Sequence, residues 1–168
     1  ASVLKLNVYS GIIKKDYGKA PISFAAFLTD KDGKAIIVSG TDKNNDTKVY
    51  IKKDSDWHPL PEGTVSSKVK PISLSESGKF LYTIDSLNQD RRGIFKLNLE
   101  DYSYSNIFTD KAVNITDIEM STDGRLAYAL RVDDGYPAYV MLDKSNEEAM
   151  TFKILLQSFP YSEVNITS

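Results

Sequence analysis

The sequence contains no cysteine and a single histidine, His58, in 168 residues. Without cysteine, the chain has no disulfide, no thiolate nucleophile and no cysteine-based metal site. With one histidine, a histidine-rich metal site is excluded, and a Ser-His-Asp triad would have to use His58. We therefore predict no metal and no other cofactor for this chain.

A strong charge of one sign and a long apolar run are also absent. The 21 basic and 23 acidic residues give a net charge of −2, which provides no electrostatic basis for binding nucleic acid or an anionic membrane. No apolar run approaches the ~18 residues of a transmembrane helix. Segment 1–11 has neither the charged n-region nor the h-region of a signal peptide. The sequence thus leaves a periplasmic and a cytoplasmic bacterial location both open.

The sequence does contain a repeat, which begins with a turn. In three segments glycine stands between a small or acidic residue and a basic one, and apolar alternation follows: TDKDGKAIIVSG (29–40), SESGKFLYTID (75–85) and STDGRLAYALR (121–131). Their glycines, Gly33, Gly78 and Gly124, are 45 and 46 residues apart. Glycine provides a positive φ in such a turn, and alternation with a period of two predicts a strand. Each segment is therefore predicted to belong to a β-hairpin.

A polar break that contains an aspartate follows each of these strands. Asp46, Asp90 and Asp134 are spaced 44 and 44 residues apart, and a further strand is predicted after each. The corresponding positions of these later strands, with one more copy near residue 3, are separated by 46, 45 and 45 residues: Val3, Val49, Ile94 and Tyr139. A residue that recurs in every repeat usually serves the repeat. We predict that the three carboxylates accept backbone N–H bonds in their loops, as in an Asx turn.

Four short strands within about 45 residues are typical of one blade of a β-propeller. We predict an all-β fold, a propeller segment of three to four four-stranded blades in a single partial domain. Its parts are the end of a blade (1–19), two blades (20–65 and 66–112) and a third blade (113–168). Closed propellers usually have about four to eight blades. We therefore expect a fragment of a larger ring, self-association of two half-rings, or a compact permuted four-bladed ring.

The third blade departs from the repeat after Asp143, where a short helix is predicted near 145–158. Ser145 or Asn146 can cap this helix, and the acidic residues of its first turn suit the helix dipole. The predicted apolar face of the helix consists of Met150, Ile154, Leu155 and Phe159. Segment 162–168 is then predicted to be the outer strand of this blade or the first strand of the next.

This departure gives the chain a family resemblance. The block DIEMSTDGRLAYALRVDDGYPAYVMLDKSNEEAMTFKILLQSFPYSEVNITS (117–168) resembles the N-terminal propeller of S9-type serine peptidases, the prolyl oligopeptidase and acylaminoacyl-peptidase group. The segment SLNQDRRGIFKLNLED (86–101) is similar to a strand pair of that family. The resemblance is good over 70–168 and looser over 1–65. The turn and aspartate motifs are shared with other propellers, including that of the periplasmic Tol system.

The resemblance implies a non-catalytic propeller portion of a bacterial S9-family serine peptidase. In that family catalysis belongs to a separate α/β-hydrolase domain with its nucleophile in G-x-S-x-G, and this sequence contains no such motif. The implied partners are a hydrolase domain outside this chain and, indirectly, the peptide substrates whose access the propeller restricts. The alternative is a stand-alone propeller-type module that binds a protein partner and has no enzymatic domain.

Three polar residues of the third repeat are candidates for contacts with a substrate in the parent enzyme: Arg131, Asp133 and Asp134. Two other motifs favour a structural role. His58, in DSDWHPL, is predicted to lie in an outer strand or loop beside a structural Trp57. Segment 42–53 begins like a calcium loop, but Thr47 and Lys53 replace the glycine and the bidentate glutamate that such a loop requires.

Overall fold

A computed structural model of the chain describes most of its residues. The described ranges are 2–87, 91–109, 115–122, 127–133, 135–142, 147–160, 162 and 164, with the backbone alone at 15, 16, 116 and 133. Within these ranges the chain forms thirteen strands and one helix. This composition confirms the predicted all-β class with a single short helix.

The strands form four sheets. The N-terminal hairpin contains β1 (Ser2–Leu6) and β2 (Ile13–Lys19). Sheet 1 contains β3 (Ser23–Thr29), β4 (Ala35–Thr41), β5 (Thr47–Lys53) and β6 (Asp56–Pro59). Sheet 2 contains β7 (Lys70–Leu74), β8 (Phe80–Asp85), β9 (Gly93–Asn98) and β10 (Tyr104–Phe108). Sheet 3 contains β11 (Ile115–Met120), β12 (Ala127–Asp133) and β13 (Pro137–Met141), and the helix α1 (Glu147–Ser158) follows it.

Every sheet is an antiparallel meander in which each strand pairs with the next one along the chain. Sheets 1 and 2 have four strands each, as a propeller blade does, and the described part of sheet 3 has three. Each sheet lies within one of the four segments that the repeat delimits. The predicted blade-like arrangement of antiparallel sheets is therefore present in the structure.

The glycine turns have the same backbone conformation in sheets 1 and 2. Gly33 and Gly78 both have a φ of 70°, and their N–H groups donate to the carbonyls of Asp30 (2.9 Å) and Ser75 (2.8 Å). A positive φ of this size costs glycine little, because it has no Cβ to clash with the backbone. The predicted third member of the set, Gly124, lies outside the described residues.

The core lies between sheets that stack face to face. Ile37 and Ile51 of sheet 1 and Leu81 and Leu97 of sheet 2 belong to one buried cluster. The opposite side of sheet 2 contributes to a second cluster that contains Leu130 of sheet 3. Because successive side chains of a strand point to opposite faces, a sheet buried on both sides needs apolar residues at nearly every position. This explains the apolar residues on both faces of FLYTID and GIFKLN.

Helix α1 covers the face of sheet 3 that points away from sheet 2. Phe152 is fully buried, and its ring lies 5.3 Å from that of Tyr128 and 5.1 Å from that of Tyr139 in edge-to-face geometry. Ala149 is also fully buried, and Leu156 packs against the same cluster. The helix therefore buries a stripe with i, i+3, i+7 spacing.

The predicted apolar face of this helix was wrong. Met150, Ile154 and Phe159 are 51%, 62% and 58% exposed. The buried stripe is rotated by about one residue from the predicted one, roughly 100° around a helix with 3.6 residues per turn. Its position is set by Phe152, which packs between two tyrosines that no local pattern links to it. The predicted cap residues, 145 and 146, and most of the predicted strand at 162–168 lie outside the described residues.

Replacement of Phe152 by alanine tests this packing. We expect Phe152→Ala to lower the free energy of unfolding by about 3–5 kcal/mol, because it leaves a cavity between α1 and sheet 3. Met150→Ala, on the exposed side of the same helix, is the matched control and should change it by less than about 0.5 kcal/mol. Urea unfolding of both variants measures the difference. Equal effects of the two substitutions would contradict the packing of Phe152 under the helix.

Candidate binding edge

The polar loops of the three sheets lie at one edge of the stack. The segment 60–69 crosses from β6 to β7. The backbone N–H of Thr47 donates to the carbonyl of Ser67 in this segment (2.8 Å), which places the segment beside the β4–β5 loop. Residue pairing of Lys70 with Ile84 places the β8–β9 loop at the same edge. The bond from Ala127 N to Ser73 Oγ (3.2 Å) places the start of β12 at the opposite edge, and hence the β12–β13 loop at this one.

We call this surface the crossover edge and define it by residues 42–46, 60–69, 86–87, 91–92 and 135–136. It contains a groove with a cavity volume of about 440 Å³ between β5, the end of β6 and the crossing segment. The apolar part of its lining is formed by Val49, Tyr50, Pro59, Leu60, Pro61 and Val65. Thr47, Ser66 and Ser67 add polar groups, and Lys48 and Glu62 add one charge of each sign. The groove thus combines apolar walls with a few polar groups, as binding sites commonly do.

The β4–β5 loop is closed by an aspartate. Asp42 Oδ1 accepts hydrogen bonds from the backbone N–H of Asn44 (2.8 Å) and of Asp46 (3.0 Å). The bond from Asp46 is the main reason that the pKa of Asp42 lies below its ordinary value of 3.8. The carboxylate of Asp46 instead lies 3.6 Å from Lys68 Nζ, in the crossing segment. In this loop, therefore, Asp42 has the role that the sequence assigned to Asp46.

The crossing segment is fixed to sheet 2 by a buried carboxylate. Asp85, at the end of β8, is 1% exposed. It accepts hydrogen bonds from the backbone N–H of Ser66 (3.0 Å) and of Ser86 (2.7 Å), from the Ser66 hydroxyl, and from the Tyr104 hydroxyl (2.9 Å). Thr83 Oγ1 lies 2.5 Å from the same Tyr104 oxygen. We call Ser66, Thr83, Asp85 and Tyr104 the Asp85 cluster.

Burial keeps the phenol of this cluster protonated. Burial raises the pKa of Tyr104 above its ordinary value of 10.0, and the negative charge of Asp85 raises it further, while the hydrogen bond with Thr83 opposes the shift. At neutral pH the hydroxyl is therefore a donor to Asp85. Tyr104 stands on β10 and reaches across β9, where its ring stacks on Phe95 at 4.9 Å. The cluster thus joins the outermost strand of sheet 2 to the crossing segment.

The Asp85 cluster is not among the sites that the sequence predicted. The sequence feature that could have indicated the cluster is the strand FLYTID, in which Thr83 and Asp85 share the face of Leu81. Two polar residues on a face that otherwise packs against another sheet require buried hydrogen-bond partners. Ser66 and Tyr104 are 19 residues from Asp85 in either direction, and no spacing rule joins them to it.

Of the three candidate substrate contacts, the structure describes the side chain of Arg131 alone. Arg131 is half-buried in β12 and pairs with Tyr139, whose ring contacts Phe152 of α1, so Arg131 lies on the face that the helix covers. For Asp133 the structure describes the backbone and not the side chain. Asp134 and the repeat residue Asp90 lie outside the described residues altogether.

His58 lies on β6, the outer strand of sheet 1, where it pairs with Ile51 and is exposed. The neighbouring Trp57 packs on Phe27 at 6.0 Å between ring centroids, and Lys52 Nζ lies 4.7 Å above its ring. The position of His58 in an outer strand beside a packed tryptophan is the one that the sequence predicted.

The part of the chain that the structure describes contains no cluster of three or more His, Asp or Glu side chains that could hold a metal ion. Over the same residues, no helix is long and apolar enough to cross a membrane. Comparison of the chain with protein-family models, with curated proteins and with solved structures found no match. The protein is described by its fold, an all-β stack of blade-like antiparallel sheets.

A double-mutant cycle measures the coupling energy between Asp85 and Tyr104 in the Asp85 cluster. We expect Asp85→Asn and Tyr104→Phe each to lower the free energy of unfolding by about 1–3 kcal/mol, because each leaves a buried polar group without its partner. Tyr104→Phe removes a bond that Asp85→Asn weakens, because the acceptor loses its negative charge. The double variant should therefore lose less than the sum, with a coupling energy of about 0.5–3 kcal/mol. Glu76→Gln, at an exposed turn of sheet 2, is the control and should have almost no effect. Strict additivity in urea unfolding would show that the two residues do not interact.

Proposed function

We propose that this chain is a non-catalytic module of propeller-type blades that binds an extended polypeptide at its crossover edge. In the form that the S9 resemblance suggests, it selects peptide substrates for a hydrolase domain outside the chain. The observation that carries the proposal is the groove of the crossover edge, held in place by the Asp85 cluster.

The lining of the groove suits a polypeptide ligand. Tyr50, Pro59 and Leu60 provide apolar surface for side chains, and the hydroxyls of Thr47 and Ser67 can bond to a peptide backbone. Recognition of extended segments typically combines main-chain hydrogen bonds with apolar contacts to alternate side chains. A volume of about 440 Å³ falls within the usual range of ligand sites, about 300–1,000 Å³.

The walls of the groove are fixed before any ligand binds. Ser66 is held by Asp85, and Ser67 O accepts the Thr47 N–H bond. Lys68 Nζ donates to the carbonyl of Asn45 at 2.6 Å. A preformed wall loses little conformational entropy on binding, so more of the contact energy appears as affinity.

The groove supports binding rather than catalysis. Its half-buried serine, Ser66, donates its hydroxyl proton to the Asp85 carboxylate. A serine nucleophile is instead activated when it donates to a general base such as histidine. The one histidine, His58, stands exposed on β6.

A second function, a stand-alone interaction module with no enzymatic domain, is favoured by the position of α1. The helix occupies the outer face of sheet 3, where a further blade would stack. The coding sequence separates the two forms of the proposal: a downstream G-x-S-x-G, followed by Asp and His, supports the peptidase form. Absence of that motif from the full gene favours the stand-alone module.

Binding is tested by NMR titration of the whole chain with the unstructured peptides of a casein digest. We expect amide shifts confined to residues 47–50 and 59–67, and loss of at least about tenfold in affinity in Tyr50→Ala, since alanine removes the largest apolar surface of the groove. Tyr9→Ala, at a side chain 97% exposed on the N-terminal hairpin, is the control and should bind like the parent.

Two results would contradict the proposal. One is the absence of any shift at the groove at millimolar peptide, or shifts that Tyr50→Ala leaves unchanged. The other is cleavage of the digest by the purified chain, with a rate that falls on substitution of Ser66 by alanine.

A further inference from the structure

One charged residue of the groove has no partner of opposite charge. The groove is lined by two charged residues, Lys48 and Glu62. Lys48 Nζ lies 3.8 Å from a carboxylate oxygen of Asp42. Glu62 is exposed, and among the described residues its side chain forms no ion pair and no hydrogen bond. The uncompensated charge of the groove is therefore negative.

The other charges beside the groove do not change this sign. Lys68 Nζ, in the crossing segment, lies 3.6 Å from the carboxylate of Asp46 and donates to the carbonyl of Asn45 at 2.6 Å. Two opposite charges at such a separation exert little net force on a third charge, because their contributions oppose each other. A ligand in the groove would therefore meet the charge of Glu62.

A turn fixes the backbone of Glu62 against the groove. The N–H of Thr64 donates to the carbonyl of Pro61 at 3.3 Å, and Gly63 has a φ of 78°. Glycine with a positive φ at the third position is typical of a type II turn. Just before the turn, the N–H of Leu60 donates to a carbonyl of β5 at 2.9 Å. The turn thus holds the backbone in place, while the carboxylate is open to a ligand.

An aromatic ring of the groove also favours a cation. Tyr50, half-buried on β5, belongs to the lining. Cations are attracted to the face of an aromatic ring, and lysines of this chain make such contacts: Lys52 Nζ lies 4.7 Å from the ring centre of Trp57, and Lys96 Nζ lies 3.8 Å from that of Phe80. Among the described residues, no cation lies over Tyr50. Its ring is thus available to a cation of the ligand.

We propose that the groove selects polypeptides in which a cationic group stands beside apolar residues, and that Glu62 determines this specificity. The inference rests on the proposed function, because it concerns the polypeptide that binds in the same groove. Charge complementarity of this kind contributes mainly to the choice of partner. The cation is an ammonium or guanidinium group, from a lysine or arginine side chain or from the peptide N-terminus, since each of these donates to a carboxylate.

Peptides that differ in one residue test the charge preference. Three acetylated and amidated peptides, Gly-Leu-X-Leu-Gly with lysine, glutamine or glutamate as X, are titrated into the whole chain and followed by NMR. We expect the lysine peptide to bind about three- to tenfold more tightly than the glutamine peptide, and the glutamate peptide to bind most weakly. The glutamine peptide without its acetyl group identifies the source of the cation. It binds more tightly than its acetylated form when the terminal ammonium reaches Glu62, and equally when only a side chain does.

Two variants of equal net charge assign the preference to Glu62. In Glu62→Gln, the affinity for the lysine peptide should fall to that for the glutamine peptide, while the affinity for the glutamine peptide stays the same. Glu76→Gln is the matched control, because it removes an exposed carboxylate from the β7–β8 turn, and it should keep the full preference. In the unmodified chain, the preference should also decrease between about 0.05 M and about 0.5 M NaCl, since salt screens an exposed ion pair.

The outcomes separate this inference from the proposed function. Equal affinities of the lysine, glutamine and glutamate peptides for the groove would overturn the inference and leave the proposed function standing. A preference for the lysine peptide that persists in Glu62→Gln would overturn the inference as well. If none of the peptides shifts the amides of the groove, both the inference and the proposed function are contradicted.

Discussion

Apolar contact between stacked sheets is the interaction on which the rest of the structure depends. Sheet 2 is buried on both faces, with Leu81 and Leu97 on the side of sheet 1 and Ile84 and Ile94 on the side of sheet 3. Burial of each such side chain contributes about 1.5–3 kcal/mol relative to its exposure. No single sheet could keep two apolar faces in water. The repeat is therefore stable only as a stack, and each face at the end of the stack needs a cover.

The two ends of the stack are covered in different ways. Helix α1 covers the outer face of sheet 3 through Ala149 and Phe152. At the other end of the stack lie the two described strands of the N-terminal hairpin, β1 and β2. The cover that α1 provides for sheet 3 is thus a consequence of the packing of the repeat.

Stacking also brings the polar loops to one edge. There the Asp85 cluster fixes the crossing segment, residues 60–69, which forms one wall of the groove. A carboxylate 1% exposed is tolerated there because four donors compensate its loss of hydration. Removal of a donor would leave the negative charge of Asp85 partly without hydrogen bonds. The crossing segment is therefore held in the one position in which Ser66 can donate to Asp85. The wall of the groove that the crossing segment forms is therefore held in place as well.

The sequence predicted the elements that depend on local spacing. Alternation and recurring turns gave the strands, their antiparallel order and the short helix, because these features follow from residues within one repeat. The sequence did not predict which of several neighbouring residues of suitable type closes a loop or faces the core. Asp42 rather than Asp46 closes the β4–β5 loop, and Phe152 rather than Met150 faces the sheet. It also missed the Asp85 cluster, because Ser66, Asp85 and Tyr104 meet only after sheet 2 and the crossing segment have packed.

Native-state hydrogen exchange measures most directly whether sheet 2 is the centre of the stack. The amides of β8 and β9 should exchange only through global unfolding, so that their free energy of opening equals that of urea denaturation. The amides of the N-terminal hairpin should exchange through local opening at a lower free energy. Exchange of β8 and β9 as fast as that of the hairpin would contradict a stack centred on sheet 2.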